Sequence, residues 1–170
     1  VFDGVDDMIT TESDIIGTSA CTIMGWIKPT GWGESVISRI LTNGVTYLAT
    51  NSTGVSPNNS IVFTSDGGTT VARSALNSIQ VATPIWYHIG VTRTSAGVAN
   101  FYINSVLSGT ANQASDADGT LGAGSTNVII GNQLAGDRTF AGTIDDLQIY
   151  NRVLSVAEIQ NHYLQTRGEH

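Results

Sequence analysis

Apolar residues recur at every second position along most of this chain, and glycine, asparagine and aspartate interrupt them at short intervals. Period two places successive side chains on opposite faces of an extended strand, whereas a helix needs a period near 3.6. The clearest run is Thr22-Ile23-Met24-Gly25-Trp26-Ile27-Lys28, stopped by Pro29-Thr30-Gly31. The same pattern predicts strands over residues 35–42, 45–50, 60–65, 69–74, 85–94, 98–103, 126–131 and 142–150. Asn43-Gly44 is a hairpin signal because both residues tolerate positive φ. Asp66-Gly67-Gly68 and Ser95-Ala96-Gly97 serve later pairs in the same way. Strands joined by short turns, with no helix between them, predict antiparallel sheets.

The chain has 170 residues, enough for one domain with a real core and too few for two domains of this pattern. Only 12% of residues are charged and 19 are glycine, which suits many short strands. Seven Lys plus Arg stand against fourteen Asp plus Glu, a formal charge of −7, so no basic surface is available for nucleic acid. The acidic excess is compatible with a divalent cation and equally with simple solubility.

The single Cys21 has no disulfide partner and reads as a small buried strand residue. Few cysteines do not argue against export. No apolar run approaches the roughly 18 residues of a membrane span, so membrane insertion is not expected. The chain opens at Val1 inside an expected strand, which reads as a fragment or processed form of a larger protein.

Ser155 and Glu158 have capping-box spacing, and Val156, Ile159, Tyr163 and Leu164 follow on one helical face. A short helix over about 155–165 is expected to close the domain against the sandwich edge. The segment 109–125 has almost no large apolar residue and reads as a long surface loop, the kind of segment that often carries binding. Along 140–150, Phe140, Gly142 and Ile144 share one parity while Leu147 and Ile149 share the other. A regular strand cannot put all of them on one face, so a β-bulge is expected at Asp145-Asp146.

Several stretches resemble the laminin-G-like, concanavalin A-like lectin jelly-roll domains. They are Phe2-Asp3-Gly4-Val5-Asp6-Asp7, the strand around Trp26, Trp86-Tyr87-His88-Ile89-Gly90-Val91-Thr92, Phe101-Tyr102-Ile103-Asn104, Ile130-Gly131, and the run from Phe140 through Leu147-Gln148-Ile149-Tyr150 to Ser155. The resemblance spans nearly the whole chain. It implies an all-β sandwich of two antiparallel sheets in which the first strand lies beside the last or penultimate one. Such domains often bind calcium, glycans or proteins, although fold alone is weak evidence of function.

Calcium takes six to eight oxygens at about 2.3–2.6 Å, mostly from carboxylates and carbonyls. Asp3, Asp6, Asp7, Asp145 and Asp146 are the candidates. If the chain's ends pair as the resemblance implies, Asp3 and one of Asp145 or Asp146 would share an ion. The competing reading makes these residues hydrogen-bond acceptors at turns and at the bulge. Asp116 and Asp118 offer a second acidic pair in the long loop. For a sugar, Trp32 between Gly31 and Gly33 and beside Glu34 supplies a stacking face with a polar neighbour, or else folds back over the core edge. Trp26 and Trp86 read as core residues, His88 as a hydrogen-bonded strand residue, and His162 and His170 have no spacing that suggests zinc.

Glucan hydrolases with a similar architecture carry a catalytic Glu pair, and retaining chemistry needs carboxylates about 5–5.5 Å apart. The chain holds only Glu12, Glu34, Glu158 and Glu169, and Gly17 stands where the second Glu of the nearest approach, Glu12-Ser13-Asp14-Ile15-Ile16-Gly17, would fall. No nucleophilic triad or phosphate-cradling loop is evident. Asn51-Ser52-Thr53 and Asn58-Asn59-Ser60 fit the glycosylation pattern. The expected function is a non-catalytic carbohydrate-binding or adhesion module, secreted or at the cell surface, with Trp32, Glu34, Asp116 and Asp118 at its contact region and structural calcium as its cofactor. The alternatives are a laminin-G-type protein-interaction domain and a glycoside hydrolase relative lacking the Glu pair.

Overall fold

The computed structural model describes residues 1–34, 37–51, 59–65, 71–75, 77–81, 84–108, 124 and 126–170. Along the chain run β1 (Phe2–Asp3), β2 (Ile9–Thr10), β3 (Cys21–Pro29), β4 (Ile37–Thr42), β5 (Tyr47–Asn51) and β6 (Ser60–Thr64). Then follow β7 (Ala72–Arg73), β8 (Tyr87–Arg93), β9 (Ala99–Ile103), β10 (Val106–Leu107), β11 (Ile129–Ile130), β12 (Ala141–Tyr150) and one helix, α1 (Val156–Thr166). They form two six-stranded sheets, ordered β1-β12-β3-β8-β9-β10 and β2-β11-β4-β5-β6-β7. The two chain ends meet in the first sheet, where Phe2 pairs with Gly142 and Asp3 with Ala141.

The alternating apolar residues face inward, as period two requires. Ile23, Ile27, Ile89, Val91 and Phe101 of the first sheet pack against Leu41, Leu48, Ile61 and Phe63 of the second. Each such side chain contributes about 1.5–3 kcal/mol when fully buried. Cys21 sits at this interface, and burial raises its thiol pKa to about 11.

Period two predicts a wet outer face for β3, yet Thr22, Met24 and Trp26 on that face are also buried. The helix covers them. Leu154 and Ile159 pack on Met24 and Tyr102, and Trp26 donates its indole N–H to Thr166 at 2.7 Å. α1 therefore lies on the face of the first sheet and not against its edge, which corrects the expectation from sequence. A flat face bearing Met24, Trp26 and Tyr102 offers an 11-residue helix more apolar area than a strand edge would. The capping box is formed in both directions, with Ser155 Oγ accepting from the Glu158 N–H and Glu158 accepting from the Ser155 N–H.

The bulge forms where the parity conflict placed it. Asp145 pairs with Trp26 and Gln148 with Met24, so β12 carries one residue more than β3 between these partners. Asp146 takes the left-handed conformation, φ 46°. Ile144, Leu147 and Ile149 consequently all reach the same core.

The Asn43 hairpin forms by a different device from the one expected. Gly44 alone has positive φ, and buried Asn43 uses its side-chain carbonyl to accept from the Val45 and Thr46 N–H groups at 3.1 and 2.7 Å. The 95–97 turn joins β8 to β9. Asn104 and Ser105, φ 50° and 65°, turn β9 into the short β10, which the sequence pattern did not disclose. The Asp66-Gly67-Gly68 turn, both sequons beyond Asn51 and Asn59-Ser60, and all of loop 109–125 except Gly124 lie outside the described residues.

Candidate functional site

β1 ends in a tight turn because Asp3 Oδ1 accepts from the Val5 N–H at 2.8 Å and Asp7 Oδ2 accepts from the Asp3 N–H at 2.8 Å. The turn gathers the carboxylates of Asp3, Asp6 and Asp7 within 4.8 Å of one another. One oxygen each of Asp3 and Asp7, and the whole Asp6 carboxylate, make no hydrogen bond among the described residues. Carboxylate oxygens crowded this way repel one another and suit a hard cation. Among the described residues this is the one group of three or more such side chains close enough to hold an ion.

The Gly31–Glu34 turn packs beside it. Gly33 has φ 68°, and a Cβ there would stand 1.8 Å from the Thr139 carbonyl oxygen, so only glycine fits. Trp32 is fixed by its carbonyl, which accepts from the Ser38 hydroxyl, and its indole packs partly buried against the main core. Trp32 thus packs partly over the core edge and keeps part of its surface exposed. Glu34 is exposed, with Oε2 held 2.8 Å from the Thr139 hydroxyl.

Thr139, which the sequence did not single out, joins the two turns. Its Oγ1 lies 2.8 Å from Glu34 and 2.9 Å from the Val5 carbonyl, so its one proton serves a single acceptor at a time. Asn132 donates to the same hydroxyl at 2.9 Å, and its carbonyl accepts from the Gln133 and Arg138 N–H groups at 2.8 and 3.1 Å. Asn following the Ile130-Gly131 motif was the only sequence signal for this loop anchor.

The remaining candidates do not join this edge. Asp3 stands opposite Ala141 and Asp145 opposite Trp26, so four residues of β12, about 13 Å of strand, separate them. Asp145 and Asp3 therefore do not meet at one ion, and Asp146 lies farther along. Asp145 instead lies 3.2 Å from His170 Nε2. Asp116 and Asp118 are outside the described residues.

The histidines, unlinked in sequence, meet under α1. His88 Nε2 and His162 Nδ1 share a hydrogen bond at 2.9 Å, and His170 stacks on Trp26 with ring centroids 4.5 Å apart. Burial lowers the His88 pKa to about 4, and the neighbouring His162 and His170 push the same way. Trp26 is buried beneath the helix and outside the inter-sheet core. Trp86 departs from its expected core position and lies half-buried with its edge against His170. It immediately precedes β8, and its neighbours are on the outer face of the first sheet.

The model of the concanavalin A-like lectin/glucanases superfamily matches residues 3–160. This chain belongs to that superfamily. No curated protein matches it in sequence. Among solved members of the concanavalin A-like fold, domain 4 of AbnA, an extracellular GH43 arabinanase of Geobacillus stearothermophilus seen with arabinotriose, superposes with a TM-score of 0.68 at 18% identity, covering 95% of this chain and 74% of that one. The CBM40 of the Ruminococcus gnavus IT-sialidase, bound to α2,3-sialyllactose, superposes at 0.65 and 16% identity over 96% of this chain and 95% of that one. A pentraxin of Limulus polyphemus does so at 0.63 and 15% identity, over 94% and 82%. At these identities the likeness is one of concanavalin A-like fold. The antiparallel sheets inferred from alternation and turns, and the sandwich implied by the resemblance, are what is observed.

Proposed function

We propose that this chain is a non-catalytic, extracellular carbohydrate-binding or adhesion module whose ligand edge joins the Asp3–Asp7 turn to the Trp32–Glu34 turn. One observation carries this reading: the Thr139 hydroxyl stands within hydrogen-bonding distance of both Glu34 and the Val5 carbonyl, so the oxygen cluster lies beside a tryptophan and a carboxylate. Calcium held by Asp3, Asp6 and Asp7 would order the edge, and Trp32 would offer its exposed margin to a sugar ring. The fold neighbours seen with sialyllactose and arabinotriose support a sugar as the ligand class. Val106 and Leu107, 67% and 58% exposed on edge strand β10, are the feature that favours the protein-interaction alternative.

A glycan array probed with chelator-treated protein, with and without millimolar calcium, tests the proposal. Calcium-dependent binding that disappears in Asp6→Asn and Asp7→Asn, and survives in Asp146→Asn, is expected. Silence toward every glycan at all calcium levels would sink it and turn attention to the β10 edge.

A further inference from the structure

The chain's three histidines, for which the ligand edge has no use, lie together between α1 and the outer face of the first sheet. His88 of β8 is fully buried, and its Nε2 lies 2.9 Å from Nδ1 of His162 on α1. The far nitrogen of each ring, Nδ1 of His88 and Nε2 of His162, is also buried and makes no hydrogen bond among the described residues. A neutral imidazole carries one N–H. The ring that donates the shared bond therefore keeps a bare nitrogen on its far side, and the ring that accepts carries its proton there. Whichever ring donates, the pair seals one acceptor and one donor without partners.

An added proton finds no compensation in this setting. The first fills the bare nitrogen and leaves a buried cation whose two outer N–H groups have no acceptor. A second makes both inner nitrogens N–H groups, facing each other at 2.9 Å on two cations. From β3, Trp26 sets its ring at 68° to His88, and Lys28 lies over Trp86 and brings no negative charge. Tyr163 of α1 is tilted at 59° to His88 and is neutral in acid, and Asn104 spends its side-chain carbonyl on the His88 backbone N–H. From β12, Asp146 favours charge on His162, but burial outweighs it. Asp145 lies against His170, whose own charge opposes one on either ring of the pair. Glu158, in the first turn of α1, is engaged by Arg152 and Ser155. Burial, with His162 and His170 adding to it, holds the His88 pKa down to about 4.

The strain is relieved if His162 leaves with its helix. Ile159 is the one buried residue of α1, and it belongs with Met24, Tyr102 and Leu154 to a cluster separate from the inter-sheet core. The helix is held further by the Trp26–Thr166 hydrogen bond and by Tyr163 stacked on Trp26. Opening these contacts leaves both sheets and the core between them intact, the condition for a local rather than a global opening. We propose that α1 is an acid-released latch: protonation of the His88–His162 pair frees the helix from the first sheet while the sandwich stays folded, and uncovers Met24, Trp26 and Tyr102. This device is independent of the ligand edge. Release returns His88 to its ordinary proton affinity, so docking is fully favoured above pH 6.5 and weakens as pH falls toward 4.

Amide hydrogen exchange read by NMR on the whole chain, corrected for the intrinsic rate at each pH, tests the latch. In wild type, α1 amides are expected to be at least tenfold less protected than β3 amides at pH 4.5, and to lose at least tenfold in protection between pH 7.5 and 4.5. The double variant His88→Gln/His162→Gln should lose that pH dependence in α1, and His170→Gln, whose ring lies outside the pair, should keep it. The wild-type comparison needs no variant to fold. Equal protection of α1 and β3 at pH 4.5 would mean that the helix opens only with the whole domain, and it overturns the latch. So does α1 protection that is the same at both pH values, or a full loss with pH that persists in the double variant.

Discussion

A β-carbon on Gly25 would stand 3.0 Å from the Cα of Leu147, and only 3.1 Å from the carbonyl oxygen of Asp145. The bulge in β12 thus presses backbone against the one position of β3 that carries no side chain. Gly25→Ala should lower stability by about 1–3 kcal/mol, the usual cost of overpacking. Urea unfolding measures it. Asp146→Gly, which relieves a φ of 46°, should stay within about 1 kcal/mol of wild type or exceed it.

The His88 pKa lies near 4 in the folded chain against 6.5 when unfolded, mainly because the ring is buried. Between those values the unfolded chain binds the extra proton, so stability is complete above pH 6.5 and is lost as pH falls toward 4. The full effect is on the order of 3 kcal/mol. Urea midpoints of wild type should therefore fall more steeply across this window than those of His88→Gln. Parallel curves would show that other groups set the acid sensitivity.

Ser155→Ala removes the acceptor for the Glu158 N–H and should cost about 1 kcal/mol. Because α1 shields Trp26, the loss should appear in tryptophan fluorescence before the main transition. The Arg152 hydrogen bond and Ser155 together hold the Glu158 carboxyl down to about 2, so the cap stays intact at any pH above that value.

Cys21 is fully buried, with its thiol raised to about 11. At pH 8 the thiolate fraction is roughly a hundredfold below that of a thiol of pKa 9. Labelling with a maleimide should follow the rate of unfolding in urea. Rapid labelling of the native protein would contradict the buried placement.

Local features were legible in the sequence. The parity conflict between Ile144 and Leu147 located the bulge, and the Ser155–Glu158 spacing located the helix start, because each depends on neighbours within a few residues. Strand existence followed from alternation, but its limits did not: residues 126–131 yield only Ile129–Ile130 as strand. Asn43 was misassigned because its side chain does the work expected of its backbone. The resemblance supplied the pairing of β1 with β12, which no local pattern could give. Trp32 against the core and the His88–His162 pair depend on contacts between distant segments. Alternation records which face a residue occupies and says nothing of what lies across from it.

β3 is flanked by β12 on one side and β8 on the other. During synthesis, residues 21–29 emerge early and then wait for 87–93 and finally for 141–150 before both rows of backbone hydrogen bonds are made. Nearly the whole chain must leave the ribosome before this sheet can close, and an open, apolar strand edge is a template for neighbouring chains in the meantime. Yield on expression should therefore respond to translation speed and chaperone supply more sharply than the stability of the finished sandwich would suggest.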